Sequence, residues 1–274
     1  MAKLTKPQMK MHNQACEILE QETLTESDKD FVFEHWHEGA DRPVGESGTF
    51  FTPAQFASDF ALDVYGYGRI LDVCAGIGAL SYYVALKDKY NQNINEIVCL
   101  ELNPRFVEIG KKLLPEATWI CADVFDLPNL GLGHFDCIYG NPPFGKNGRT
   151  GHKNQRFDFE LAVIELASKY SDHGAFIVPQ GSSPFIYSGI RSYERRTSGK
   201  GHKFEKETGF FLDAGVGIDT AVYKDDWKST NIITEVVTVD FVEHREKLKE
   251  EQAARAARAA NATPTHYREQ LALI

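Results

Sequence analysis

The segment that most constrains the fold is a short apolar run that leads into a glycine-rich turn. Residues 69–73 are Arg-Ile-Leu-Asp-Val, and the turn Cys-Ala-Gly-Ile-Gly follows directly. This run predicts a buried strand, and residues 79–90 predict a helix after the turn. Gly76 and Gly78 would let backbone approach a ligand at the helix N-terminus, where free N–H groups point outward. The third glycine of the dinucleotide fingerprint is absent, so Gly-x-Gly alone is a weak signal.

Two further predicted strands end in carboxylates. The strand over residues 96–101 ends in Glu101, which could accept both hydroxyls of a ribose, or could be a neighbour of the N-cap of the helix that Asn103 and Pro104 start. The strand over residues 117–123 ends in Asp123. Asp123 would suit an exocyclic adenine amine or could be a solvated loop residue. Strands and helices alternate, which predicts an α/β domain.

The tetrapeptide Asn141-Pro142-Pro143-Phe144 follows a predicted buried strand at residues 135–139. Two prolines fix φ and remove two N–H donors, so the backbone is rigid and its carbonyls can point outward. An asparagine oxygen and the carbonyl of Pro142 could then bind one –NH2 group, while the ring of Phe144 stacks on the flat molecule that carries it. The alternative is a proline-stiffened exit from the strand with Phe144 in the core.

These motifs, together with Phe50-Phe51-Thr52-Pro53 upstream, resemble the class I S-adenosylmethionine-dependent methyltransferases, and among them the enzymes that methylate adenine N6. The resemblance covers residues 48–242. The order, with Thr-Pro first and Asn-Pro-Pro-Phe later, resembles the gamma group and the modification subunits of type I restriction systems. It implies a Rossmann-like, seven-stranded mixed sheet, mostly parallel with an antiparallel edge, flanked by helices.

The resemblance also implies a set of site residues. Asp72 and the two glycines would surround the methionine part of S-adenosylmethionine, Glu101 would bind the ribose and Asp123 the adenine. The implied cofactor-binding residues are Phe51, Thr52, Pro53, Asp72, Gly76, Gly78, Glu101, Asp123 and Asn141. The implied catalytic residues are Asn141, Pro142, Pro143 and Phe144.

Net charge argues against a simple nucleic-acid binder, because the chain carries −9 at pH 7. Residues 145–206, however, hold eleven Lys and Arg against six Asp and Glu. In the implied fold this basic segment lies beside the catalytic loop, where a DNA strand would pass, although charge runs are usually solvated faces. The proposed DNA contacts are Lys146, Arg149, Lys153, Arg156, Arg191, Arg195 and Arg196.

Three parts of the chain are expected: an N-terminal helical segment over residues 1–47, a catalytic domain over residues 48–242 and a charged helical tail over residues 243–274. Within the domain, we expect a helix at residues 157–170 and a fifth strand at residues 174–179. The predicted antiparallel edge comes from residues 209–214, 219–223 and 232–242.

Composition indicates a cytoplasmic enzyme. No apolar run approaches membrane-spanning length, and the N-terminus lacks a secretory apolar region. Four cysteines, one to each central strand, are predicted to be small buried core residues: Cys74, Cys99, Cys121 and Cys137. The spacing of His and Cys predicts no metal site.

The sequence therefore predicts transfer of a methyl group from S-adenosylmethionine to adenine N6 in DNA. Only 132 residues follow Pro142, so a short or relaxed sequence specificity, or one supplied by a partner subunit, is expected. RNA adenine and a protein glutamine amide are the alternative acceptors. A non-catalytic subunit of a modification complex would be expected to carry a broken motif, yet all four motifs are intact.

Overall fold

The computed structural model describes residues 4–37, 39–40, 50–145, 156–228 and 230–261. Three of the proposed DNA contacts, Lys146, Arg149 and Lys153, lie outside the described residues.

The described residues form alternating helices and strands. The α-helices are Lys6–Leu19 (α1), Glu26–His35 (α2), Ala54–Phe60 (α3), Ala79–Asp88 (α4), Pro104–Leu113 (α5), Phe159–Ala167 (α6), Lys200–Thr208 (α7) and Phe241–Asn261 (α8). The strands are Gly68–Val73 (β1), Ile94–Glu101 (β2), Thr118–Cys121 (β3), Phe135–Gly140 (β4), Ser171–Pro179 (β5), Phe185–Ile186 (β6), Glu194–Arg195 (β7) and Thr234–Asp240 (β8). Short 3-10 helices span Val124–Asn129, Gln180–Ser182 and Thr220–Tyr223.

The main sheet has the order β3-β2-β1-β4-β5-β8. Neighbouring strands are parallel except β8, which runs antiparallel to β5 at the edge. Strands β6 and β7 form a separate two-stranded antiparallel sheet. The predicted α/β mixed sheet with an antiparallel edge is therefore confirmed.

The sheet is buried on both faces. Along β4, Cys137 and Tyr139 belong to one apolar cluster, while Ile138 between them belongs to a second cluster. This follows from the alternation of side chains along a strand, with helices covering each face. Trp36 at the end of α2 packs in the same cluster as Phe51, so the N-terminal helices share the core of the sheet.

Among the described residues the main sheet has six strands, so the predicted seventh strand is wrong. Residues 209–214 contribute only an isolated bridge, in which Asp213 pairs with Thr238 of β8. Gly209 and Gly215 bracket this stretch with φ angles of 79° and 56°, which break an extended backbone on both sides.

Residues 219–223 were also predicted to be a strand, and this is wrong. They form the 3-10 helix Thr220–Tyr223, because the side chain of Asp219 caps it by accepting a hydrogen bond from the backbone N–H of Ala221. The predicted edge strand within residues 232–242 is confirmed as β8.

Two of the four cysteines depart from the prediction of burial. Cys99 and Cys137 are buried and Cys74 is half-buried, but Cys121 is exposed. Cys121 ends β3, which is the short edge strand of the sheet and has no strand of the described residues on its outer side. No helix in the described part of the chain is both long enough and apolar enough to cross a membrane.

Candidate active site

The carboxyl ends of the central strands bring three predicted site segments together. Val73 of β1 is level with Gly140 of β4 and with Leu100 of β2. The glycine turn, Glu101 and Asn141 therefore leave the sheet side by side. In a sheet of this order, the chain turns to opposite sides after β1 and β4, which opens a crevice where ligands of α/β proteins bind.

The glycine turn after β1 has an unusual backbone. Cys74, Gly76 and Gly78 have φ angles of 61°, 59° and 92°, and strain of this kind in a non-glycine residue such as Cys74 is typical of functional loops. A Cβ on Gly76 would lie 3.0 Å from the ring of Phe51. A Cβ on Gly78 would lie 3.0 Å from Trp119. Glycine is favoured at both positions because the φ angles are positive and because the two aromatic rings leave little room for a side chain.

Glu101 holds the glycine turn from the neighbouring strand. Its Oε2 accepts a hydrogen bond of 2.8 Å from the N–H of Gly76, and its Oε1 accepts one of 2.8 Å from the N–H of Asn103. Burial raises the pKa of this carboxyl group, against the effect of the backbone donors. A carboxylate has about four lone-pair sites, so Glu101 keeps acceptor capacity for a further donor such as a ribose hydroxyl.

Asp123 lies one strand further out. It is half-buried and follows β3, where its Oδ1 accepts a hydrogen bond of 2.9 Å from the N–H of Phe125. This contact caps the 3-10 helix Val124–Asn129. Asp123 therefore has a local structural partner, while a carboxylate keeps further acceptor sites for a ligand amine.

Asp72 lies inside the sheet, with no solvent-accessible surface. Its Oδ2 accepts a hydrogen bond of 2.7 Å from the hydroxyl of Ser81, whose oxygen is 2.8 Å from the hydroxyl of Tyr139. Its Oδ1 has no hydrogen-bond partner among the described residues. Burial raises the pKa of Asp72 to about 7. This buried network joins β1, α4 and β4 directly below the crevice.

The side chain of Asn141 is held in one orientation. Its Nδ2 donates hydrogen bonds of 3.0 Å to the carbonyl oxygen of Phe50 and of 3.0 Å to the hydroxyl oxygen of Thr52. A carbonyl can only accept, so the nitrogen must face Phe50. The opposite atom, Oδ1, is buried and has no hydrogen-bond partner among the described residues. The resemblance implies a place for Thr52 beside the cofactor, and no motif in the sequence indicates its contact with Asn141.

The backbone around Asn141 is closely packed. A Cβ on Gly140 would lie 2.2 Å from the carbonyl oxygen of Val73, so only glycine allows β4 to approach β1 at this point. Pro142 is buried and Phe144 is half-buried. The ring centroids of Phe144 and Phe50 are 6.2 Å apart, and both partly buried rings pack against the apolar cluster that contains Phe51.

Two of the proposed DNA contacts already have protein partners. The guanidinium of Arg156 pairs with Glu165 at 2.7 Å. The guanidinium of Arg195 pairs with Glu205 and donates to the carbonyl oxygen of Leu212 at 2.6 Å. The remaining two differ in exposure, since Arg191 is exposed and Arg196 is half-buried.

No protein-family model matches the sequence, and a search of curated proteins finds no match. Solved structures with a similar fold include a Listeria monocytogenes protein provisionally assigned to the class I S-adenosylmethionine-dependent methyltransferases. It is 12% identical with a TM-score of 0.52, over 81% of this chain and 69% of that chain.

Two further structures have slightly lower TM-scores. A type I restriction-modification methyltransferase subunit from Streptococcus thermophilus is 16% identical with a TM-score of 0.48, over 79% of this chain and 50% of that one. A protein from Pyrococcus horikoshii provisionally assigned as an RNA methyltransferase is 18% identical with a TM-score of 0.48, over 79% and 98% of the two chains. The chain thus spans half the length of the Streptococcus subunit. Its fold is that of the class I S-adenosylmethionine-dependent methyltransferases.

Proposed function

We propose that this protein transfers a methyl group from S-adenosylmethionine to the exocyclic N6 amine of adenine in DNA. The observation that carries the proposal is the orientation of Asn141. Phe50 and Thr52 bind its amide nitrogen, and its buried oxygen has no hydrogen-bond partner among the described residues. An unpaired buried acceptor costs about 1–3 kcal/mol, so its retention at a crevice indicates a ligand that donates a hydrogen bond.

The neighbours of Asn141 fit an amine on a flat ring. Pro142 and Pro143 have no N–H donors, so the backbone of these two residues offers only hydrogen-bond acceptors. The N6 amine has two N–H groups, and we propose that Oδ1 of Asn141 and the carbonyl of Pro142 accept one each. This would favour a pyramidal nitrogen with a localised lone pair. Phe144 would stack on the base, and a base in a duplex would have to be flipped out to reach it.

The residues around the glycine turn fit S-adenosylmethionine. Glu101 retains acceptor capacity for the ribose, and Asp123 for the adenine amine. Gly76 and Gly78 lie at the N-terminus of α4, where the rings of Phe51 and Trp119 leave little room for a side chain. We place the methionine part beside this turn and Phe51. The cofactor would supply the electrophilic methyl group, while the protein orients the amine towards it.

A nucleic acid is favoured over a protein as substrate because the Thr-Pro element and the basic residues after the catalytic loop suit it better. The order of the Thr-Pro and Asn-Pro-Pro-Phe motifs, which resembles that of DNA-modifying enzymes, favours DNA. Arg191 is exposed between β6 and β7, in the part of the chain that follows β5. Sequence specificity would be short or relaxed, or supplied by a partner subunit, as in a restriction-modification system.

The proposal is tested by incubating the protein and labelled S-adenosylmethionine with purified DNA, RNA or a protein extract. Label in DNA, recovered as N6-methyladenine, supports the proposal. Label in RNA adenine or in glutamine of a protein identifies one of the alternative acceptors and contradicts the DNA assignment. Cofactor binding by calorimetry without transfer to any substrate would indicate a non-catalytic subunit. The matched variant is Asn141→Ala, which should bind the cofactor and transfer nothing.

A further inference from the structure

We infer that Glu160 is a positioning residue that fixes the far end of the Asn-Pro-Pro-Phe loop to the segment after β5. This inference rests on the proposed function, because it assigns Glu160 a role in placing Phe144 against the substrate base. Glu160 lies in the first turn of α6 and is fully buried.

The carboxylate of Glu160 makes two specific contacts. Its Oε2 accepts a hydrogen bond of 2.8 Å from the N–H of Gly145, the residue directly after Phe144. Its Oε1 accepts one of 2.6 Å from the hydroxyl of Ser182. Ser182 ends the 3-10 helix that follows β5. A single side chain therefore joins two segments that leave neighbouring strands of the sheet.

Gly145 is held from two directions. Besides the contact with Glu160, its carbonyl oxygen accepts a hydrogen bond of 3.0 Å from the N–H of Phe159. Its φ angle of 73° lies in the left-handed region, which favours glycine. Both polar groups of this backbone unit are thus bound by the start of α6. Since Asn141 is held at the other end of the loop by Phe50 and Thr52, the loop is fixed at both ends.

The residues next to Glu160 in α6 indicate that packing does not explain a carboxylate at this position. Leu161, Val163 and Ile164 of the same helix are buried and apolar. A buried carboxylate costs stability unless it is fully paired, and an apolar residue at this position would avoid that cost. A hydrogen-bond acceptor, unlike an apolar side chain, can make the two contacts with Gly145 and Ser182. The geometry therefore matches a role in holding the loop.

The test compares three variants with a matched control. Glu160→Ala removes both contacts, Ser182→Ala removes one, and Glu160→Gln keeps an amide oxygen for Gly145 and an amide nitrogen that can donate to Ser182. The control is Glu235→Gln. Glu235 is also buried, and it binds Gln180 at 2.8 Å, in the same 3-10 helix as Ser182, and the hydroxyl of Ser188 at 2.9 Å. Its hydrogen bonds within the described residues do not reach Gly145, so it separates the contact with the catalytic loop from the loss of a buried carboxylate beside this 3-10 helix. All four are purified and compared by thermal melting.

The first readout is steady-state transfer of labelled methyl groups to DNA. Glu160→Ala should raise the KM for DNA by about tenfold or more, Ser182→Ala by less, and Glu160→Gln least, with cofactor affinity unchanged in each. Glu235→Gln should lower the melting temperature without this rise in KM. An unchanged KM in folded Glu160→Ala, or an equal rise in Glu235→Gln, would overturn the inference.

The second readout needs no activity, so it separates this inference from the proposed function. Hydrogen exchange of the Gly145 amide, followed by NMR, should accelerate in Glu160→Gln and more in Glu160→Ala, and stay unchanged in Glu235→Gln. Faster exchange in a protein that methylates no DNA would contradict the proposed function alone. Unchanged exchange in both Glu160 variants would contradict the positioning role itself.

Discussion

The hydroxyl oxygen of Thr52 accepts a hydrogen bond of 3.0 Å from the side-chain nitrogen of Asn141. These residues are 89 positions apart in the sequence and belong to two separate motifs. The Phe-Phe-Thr-Pro element therefore has two roles. Phe51 packs against the glycine turn, and Thr52 helps determine which atom of the Asn141 amide faces the crevice.

Thr52→Val removes this hydroxyl while nearly conserving the shape of the side chain. We expect kcat for methyl transfer to fall about tenfold, since one of the two contacts that orient Asn141 is lost. Thr52→Ser keeps the hydroxyl and should stay close to wild type. Steady-state kinetics of both variants test this, and equal rates for Val and Ser would remove Thr52 from the orientation of Asn141.

Glu101→Ala and Asp123→Ala should weaken the binding of S-adenosylmethionine by roughly tenfold to a hundredfold each, because each removes a charged acceptor. Glu101→Ala should also loosen the glycine turn, since the N–H of Gly76 loses its partner. Isothermal calorimetry measures the affinities. Glu108→Ala is the control, because Glu108 is an exposed acid on α5 that pairs with Lys111. Unchanged affinity in both site variants would refute the assignment of the cofactor pocket.

Asp72 should make stability depend on pH. Its pKa is raised to about 7 by burial, from an ordinary value of 3.8. The folded state therefore retains a proton that the unfolded state has lost, so stability should fall as pH rises from about 4 to 7, by up to about 4 kcal/mol. Asp72→Asn cannot ionise and should show a flatter decline in thermal melting over this range. Glu101 contributes in the same direction, so some decline should persist.

The basic segment divides into two groups that mutation should separate. Replacing Arg191 and Arg196 with Ser should weaken DNA binding equally at all sequences and lower the salt slope of log affinity by about one unit per lost phosphate contact. Arg195→Ser should mainly lower the melting temperature, because Arg195 is bound to Glu205 and Leu212. Fluorescence titrations at several salt concentrations measure both. An unaltered salt slope in the double variant would show that Arg191 and Arg196 do not contact DNA phosphates.

The sequence predicts the parallel strands well, because each strand is an apolar run with a marked end. Residues 69–73 and 135–139 lie within β1 and β4, and Asn141 follows as expected. The antiparallel edge is predicted less well. Residues 209–214 have apolar composition, but whether they pair with β8 depends on glycine turns and tertiary contacts that composition does not express.

In the candidate site, too, the sequence predicts some features and not others. Motif order predicts Asn141 and Glu101 as site residues, but the partners of the Asn141 side chain lie far away along the chain. The contacts of Asn141 with Phe50 and of Glu160 with Ser182 depend on the register of strands and on loop paths. A glutamate in an apolar helix gives no sequence signal of which backbone N–H it will bind. Residues that position others are therefore the part of the site that sequence predicts least.

Methyl transfer to adenine N6 is tested most directly by mass spectrometry of nucleosides. The nucleosides come from DNA incubated with S-adenosylmethionine and either the wild-type protein or Asn141→Ala. We expect N6-methyladenine with the wild type and none with Asn141→Ala, while calorimetry shows that the variant still binds the cofactor. Methylation at another atom, or a variant that retains most of its turnover, would contradict the proposed binding of the amine by Asn141.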